Sequence, residues 1–475
     1  MLDLATNQIT FFDLDHDIDD LTSDQSFAIF ELFDKFIHLE SLIPFSFYKA
    51  YYSRNGRNHV FPLEGMLKAI IIAQLIGIPS TNLLILFIQI SSEFRRFLHF
   101  PRAPHKSQFS RFKTTYHHEI NLLFHGLVDF TDTYAHTANE FLANVLITDT
   151  TGFEYYVREN NPKFFQNILS NAKTYAKTLP SDTTFNIEKY AQGKMPKASA
   201  VNPDAKSTFL NGHFGYYRKG VITTNGFGLI RDINFIDSNN ELINDLTPSQ
   251  IKDLYDAKSL IPTLETYFHL HPNHHYHYFL GDAGFDADNN YAYLYKNRNM
   301  IPIIPINPRN KSTLAEPGFN EIGIPTCPNN PHLSMAFAGF IKSKGRADRV
   351  QFVCPKRTRK KIDGKNSAIL ECDNPCTTSK FGRVKNLTIN HNFRYLAAMP
   401  RDSQAWIDLY KHRAVCERTI NQLKDFISIK TSKIRNTITL QSNIFLAGIS
   451  QMIAFIILFN TKYAQGPLAI RSLIS

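Results

Sequence analysis

Cysteine is scarce in this chain, with five in 475 residues. That is too few for the disulfide framework of a small secreted fold, so a reducing cytoplasm is the expected compartment. The first twenty residues, MLDLATNQITFFDLDHDIDD, are acidic and lack the basic-then-apolar order of a secretion signal. Long apolar runs are missing too. Residues 69–90 are interrupted by Gly77, Pro79 and Asn82, and residues 444–459 contain Gly448, Ser450 and Gln451. Both fall short of the ~20 apolar residues of a membrane span, so buried helices and no membrane partner are expected. Tryptophan occurs once, at Trp406. Net negative charge is absent: 52 Lys and Arg against 42 Asp and Glu leave +10. This balance favours a polyanionic partner without choosing between nucleic acid and an acidic membrane face.

Composition is that of a globular protein, 43% hydrophobic and 20% charged, and the length allows several domains. Helical periodicity fills residues 26–39, 62–78, 83–90 and 120–134, predicting an all-helical N-terminal domain over 1–140. Within it, KSQFSRFK after Pro104 predicts a short helix that is basic and polar on one side. Gln108 and Arg111 could reach base edges in a major groove, with Lys113 in the same DNA-binding set. The competing reading is an ordinary helix capped by Ser107.

From Phe141 the pattern changes to strands. Residues 144–148 lead to Asp149, and 276–280 lead to Asp282. Asn225-Gly226 suits a tight turn joining strands 216–224 and 228–235. Helices are expected at 163–177, at 247–267 with Thr247 as cap, and at 288–297, with a further strand at 301–306. Residues 308–400 read as short strands and turns, and 443–460 as a closing helix. The fold class is α/β.

The most informative stretch is YKHRAVCERTINQLK, residues 410–424. On a continuous helix Tyr410, Arg413, Glu417 and Lys424 fall within a stripe roughly 60° wide. Leu409, Cys416, Ile420, Leu423 and Ile427 occupy an adjoining stripe that can be buried. A carboxylate flanked by cations suits a phosphate-rich substrate: the cations take phosphate oxygens and the carboxylate holds a metal ion. A solvated face with an Arg413–Glu417 pair is the alternative.

This spacing, Y-x2-R-x3-E-x6-K, resembles the signature of bacterial insertion-sequence transposases of the DDE type, specifically the insertion sequence 4 family. NVLITDTTGFE around Asp149 and YHYFLGDAGFDADNNY around Asp282 resemble its two aspartate motifs, in the right order. The resemblance covers roughly residues 140–460. It implies a ribonuclease H-like catalytic core, a mixed sheet flanked by helices. That core would run over 141–307 and 401–465, interrupted by a β-rich insertion at 308–400 and preceded by the helical DNA-binding domain at 1–140. It implies Asp149, Asp282 and Glu417 as catalytic residues holding two Mg2+ or Mn2+ ions, Asp149 bridging them. Hard oxygen donors suit such ions, which activate the nucleophile and stabilise the leaving oxygen.

The resemblance further implies that Arg413 and Lys424 grip phosphates and that Tyr410 contacts double-stranded DNA near the cut. It also implies a homodimer in the DNA complex, associated with the nucleoid. Trp406 could stack on an unpaired base or pack against the insertion. Glu154, Asp286 and Asp288 are the competing carboxylates, the last two also suiting a helix start.

Four cysteines, Cys327, Cys354, Cys372 and Cys376, lie in the insertion. They could close a structural zinc site, with His332 replacing one ligand, or remain buried free thiols. The basic runs 342–346 and 356–361 could track a DNA backbone or form a solvated loop tip. The expected function is a transposase that binds its inverted repeats, cleaves the ends and transfers strands to target DNA. Two alternatives stay open: a transposase-derived DNA-binding protein without cleavage, and a ribonuclease H-like nuclease without transfer.

Overall fold

The computed structural model describes residues 24–53, 59–180, 184–203, 205–210, 213–235, 256–307, 318–342, 344–362, 365–388, 394, 399–428 and 433–461. The N-terminal helices are α1 (Asp24–Phe36), α2 (Leu39–Leu42), α3 (Phe45–Tyr51), α4 (Leu63–Leu75), α5 (Thr81–Ile90), α6 (Ser92–Phe97), α7 (Lys106–Thr115), α8 (His117–Ala138) and α9 (Glu140–Ala143). Next come β1 (Val145–Glu154), α10 (Pro162–Ala176), α11 (Ile187–Gly193), β2 (Lys206–Leu210), β3 (His213–Asn225), β4 (Ile230–Asn234), α12 (Asp256–Leu270), β5 (Tyr278–Leu280), α13 (Asp288–Ala292) and β6 (Ile301–Ile303). Seven short strands follow: β7 (Thr326–Cys327), β8 (Asn330–Ser334), β9 (Ala336–Ile341), β10 (Arg349–Val353), β11 (Arg357–Ile362), β12 (Lys365–Leu370) and β13 (Val384–Thr388). The last helices are α14 (Gln404–Tyr410), α15 (Ala414–Phe426) and α16 (Thr437–Asn460). The Thr247 cap lies outside the described residues.

The chain divides into two compact units, one of residues 1–138, 151–219 and 420–475, the other of 139–150 and 220–419. In the first, α16 is the core, packed on α4 and α8. It is longer than the run of apolar residues suggests, and by length and composition it could cross a membrane. Here it is buried in protein, and its polar residues bond to neighbouring helices. Ser450 donates to Gln74 Oε1 (2.7 Å) and Ser442 to the Lys113 carbonyl (2.7 Å). Such bonds remove the cost of burying hydroxyls.

The mixed sheet that carries the second unit has the strand order β2–β3–β1–β5–β6, with β4 also pairing with β3. β1, β5 and β6 run parallel, with Ile147 opposite Leu280 and Leu280 opposite Ile303. β3 and β4 form the antiparallel hairpin at Asn225-Gly226. Their strands are rich in Val, Ile and Thr, which suit a pleated, buried surface. β1 does not end at Asp149 but continues to Glu154. Its pairing with β5 stops opposite Leu280, so Asp149 still projects beyond that pairing.

Strands in the 308–400 region form three small antiparallel sheets, β13–β10–β9, β11–β12 and β7–β8. Ile324, Met335, Val350 and Phe352 make their core.

The expected continuous helix over 410–424 is broken. α14 ends at Tyr410, Lys411–Arg413 form a 3-10 turn, and α15 starts at Ala414. A 3-10 turn winds tighter than an α-helix, so Tyr410 and Glu417 are not on one uninterrupted rail. The apolar stripe holds, with Leu409, Cys416, Ile420, Leu423 and Ile427 all buried.

Candidate catalytic site

All three predicted carboxylates lie in the second unit. Asp149 stands on β1, its Oδ1 accepting from the Thr150 amide (2.8 Å). Asp282 follows β5 and caps a 3-10 turn, accepting from the Gly284 amide (2.8 Å). Glu417 opens α15. That helix is fixed to the β3–β4 hairpin by Thr419, which donates to the Gly228 carbonyl (2.7 Å), and by Cys416 against the Ile222 carbonyl (3.7 Å). Gly228 permits the approach. Its φ is +81°, and a Cβ there would lie 2.6 Å from Val415 and 2.7 Å from Thr419.

Arg413 joins the acidic groups. Its guanidinium sits 3.4 Å from Asp149 Oδ2 and pairs with Glu417 Oε1. Burial pushes the Asp149 carboxyl up to about 7, and the nearby Asp282 and then Glu417 charges raise it too, against the Thr150 amide and Arg413. Three carboxylates within electrostatic reach of each other repel unless a cation lies among them. Tyr410 completes the group: burial raises its phenol, with Arg413, Asp282 and Glu417 all within range. The donor set is hard oxygen, carried on a strand, just past the end of another and on a packed helix, and it fits Mg2+ or Mn2+.

Trp406 is buried and stacks on Tyr410, ring centroids 4.8 Å apart at 17°. Its Nε1 has no hydrogen-bond partner among the described residues. Lys424 is seven residues beyond Glu417 on α15.

Asp286 has a role that its position after Asp282 hides. It is buried in a two-pronged ion pair with Arg394, at 2.7 and 2.6 Å, and accepts from Tyr291 (3.0 Å) and the Asn307 amide (2.7 Å). Arg401 donates to Tyr291 Oη (2.9 Å) and to the Arg394 carbonyl (2.8 Å). This network ties the loop after Asp282 to the segment that enters α14. No short motif marks it, because Asp286 and Arg394 are over a hundred residues apart. Asp288 only begins α13.

The four cysteines of the 308–400 region do not gather into one group: no three of their sulfurs lie within 4.8 Å of one another. Cys327 and Cys376 are within hydrogen-bonding reach. Burial opposes ionisation of Cys327, but the Asn329 and Asn330 amides and Cys376 bring its thiol down. The basic run 356–361 falls on the β11–β12 hairpin, where Lys360 pairs with Glu371 (2.5 Å). On α7, Arg111 is exposed and bonds back to Ser107 Oγ (3.1 Å), Gln108 is half-buried, and Lys113 lines a cavity.

Two family matches cover these regions. Residues 226–453 match the Transposase DDE domain, which includes Asp282 and Glu417, while Asp149 lies upstream of it. Residues 16–115 match the Transposase domain (DUF772). The protein is a transposase of the DDE type. As such it is an enzyme that cleaves DNA with the help of divalent metal ions. A search of curated proteins finds no match to the chain.

Proposed function

We propose that this transposase binds the terminal inverted repeats of its own insertion sequence, cuts the ends and joins the freed 3′ hydroxyls to target DNA. The proposed class is the insertion sequence 4 family with a ribonuclease H-like core. The observation that carries the reading is the convergence of Asp149, Asp282 and Glu417 in one unit, with Asp282 in electrostatic reach of Asp149 and with Arg413 paired to Asp149 and Glu417.

In this reading Asp149, Asp282 and Glu417 would together hold the divalent metal ions. Bound there, such ions supply an activated nucleophile and a stabilised leaving oxygen. The chain's own residues do the positioning. The amides of Thr150 and Gly284 fix one oxygen each of Asp149 and Asp282, and Arg413 lies at the other oxygen of Asp149. Arg413 neutralises the acidic cluster and, once its carboxylates turn to metal, is free to hold a strand phosphate. Lys424 takes a second phosphate, and Tyr410, backed by Trp406, lies beside the cut. Gln108 and Arg111 contact the end duplex from α7, and the β11–β12 hairpin tracks its backbone. Two copies act on paired ends, on nucleoid DNA in the cytoplasm.

For the cysteines the reading kept is free thiols, since Cys327 and Cys376 alone cannot supply four zinc ligands. Stoichiometric zinc in the purified protein would overturn it.

The test is Glu417→Gln with a duplex carrying the terminal repeat and Mg2+. Cleavage is expected to vanish and end binding to persist. Equal loss of both would make Glu417 structural and sink the assignment. A wild-type enzyme that nicks but never joins strands would instead be a nuclease without transfer.

A further inference from the structure

The first unit contains a cavity of about 700 Å³ that the cleavage chemistry does not use. Ligand sites commonly span roughly 300–1,000 Å³. Among the described residues its wall includes three lysines, Lys106, Lys113 and Lys433, and no acidic residue. Residues from the first turns of α5, α7 and α16 also face it, and the N-terminal ends of helices favour negative charge. Apolar side chains share the lining, Phe109 and Phe426 among them.

Lys113 is the decisive group. No carboxylate pairs with it among the described residues, and burial alone lowers its ammonium to about 8. At neutral pH it is still mostly charged, so the fold retains an unpaired cation facing a cavity. Lys113 is half-buried, with Lys106 and Lys433 exposed at the rim; a partly desolvated charge without a partner is costly, and a bound counter-charge is its natural partner. Ser110 adds a hydroxyl to the same lining.

We propose that this cavity binds a nucleoside phosphate, with Lys113, Lys106 and Lys433 holding the phosphate and the apolar wall taking the base and sugar. The nucleoside body, as against any other phosphate bearer, rests on the DNA-acting reading above. A free nucleotide and the 5′-phosphorylated end of a DNA strand share this chemistry.

The test uses the full chain, titrated with thymidine 5′-monophosphate, thymidine, inorganic phosphate, and a short oligothymidylate with or without its 5′-phosphate. Melting temperature and equilibrium binding are read together. Thymidine monophosphate is expected to bind at least tenfold tighter than thymidine or phosphate alone. Lys113→Met and Lys433→Gln are each expected to weaken it at least tenfold. Without ligand, Lys113→Met melts no lower than the wild type, because the unpaired cation is gone. Tighter, phosphate-dependent binding of the oligonucleotide, lost in the same variants, identifies a strand end as the source; no gain over the mononucleotide identifies a free nucleotide. Absent binding, binding indifferent to both substitutions, or phosphate alone binding as tightly overturns the proposal. None of these outcomes bears on cleavage, which Glu417→Gln tests separately.

Discussion

Asp232 offers a measurable consequence of how the catalytic sheet is built. It lies on β4 opposite Thr223, whose hydroxyl meets that of Thr148, the neighbour of Asp149, at 3.2 Å. Its side chain is buried, and Oδ2 has no hydrogen-bond partner among the described residues. Burial pushes its carboxyl up to about 7 from 3.8, against one backbone amide, Ile233.

A carboxyl raised on folding keeps its proton where the unfolded chain has lost it. Stability therefore falls as pH rises from about 4 through 7, and the full cost stands above 7. A rise from 3.8 to about 7 corresponds to about 4 kcal/mol at most. Asn has the same shape and no charge at any pH. Asp232→Asn should thus match the wild type near pH 4 and be more stable at pH 8. For a cooperative unit of 150–250 residues that is roughly 10 °C in melting temperature. Thermal melts of both proteins between pH 4.5 and 8 give the answer. A gap that does not change with pH, or a variant less stable at pH 8, would mean that Asp232 is held as an anion by partners and the reasoning fails.

Two further substitutions probe the supports of the site. Asp286→Asn leaves Arg394 buried without its charge, which typically costs about 3–5 kcal/mol. A lower melting temperature is expected, part of it regained in Asp286→Asn with Arg394→Met; no recovery in the double variant would show that the pair is not the unit. Gly228→Ala adds a Cβ into Val415 and Thr419 at a positive φ. A loss of about 1–3 kcal/mol is expected, with cleavage reduced more than DNA binding because the helix bearing Glu417 must shift, and a variant that cleaves normally would contradict that packing.

Much of the site was legible in the chain because each carboxylate sits beside a pattern that local physics dictates. Alternating apolar runs place Asp149 and Asp282 by strands, and the stripe from Leu409 to Ile427 buries one face of the helix bearing Glu417. The hairpin at Asn225-Gly226 follows from turn chemistry alone. What could not be read depends on distant partners. The 3-10 turn at Lys411–Arg413 interrupts a stretch whose side-chain pattern looks uniformly helical. Arg394 shows no periodicity that links it to Asp286, and the cysteines carry no tight pair that fixes their geometry. The length of α16 was underestimated because its polar residues look like breaks, whereas they bond to α4 and α7 and let the helix continue.

The final helix has one more implication. Of the described helices α16 is the last to leave the ribosome, yet it is the floor on which α4 and α8 pack. A premature stop ahead of Asn436 would therefore yield no separate end-binding fragment able to occupy the element's termini and block intact copies, because its helices would have nothing to close around.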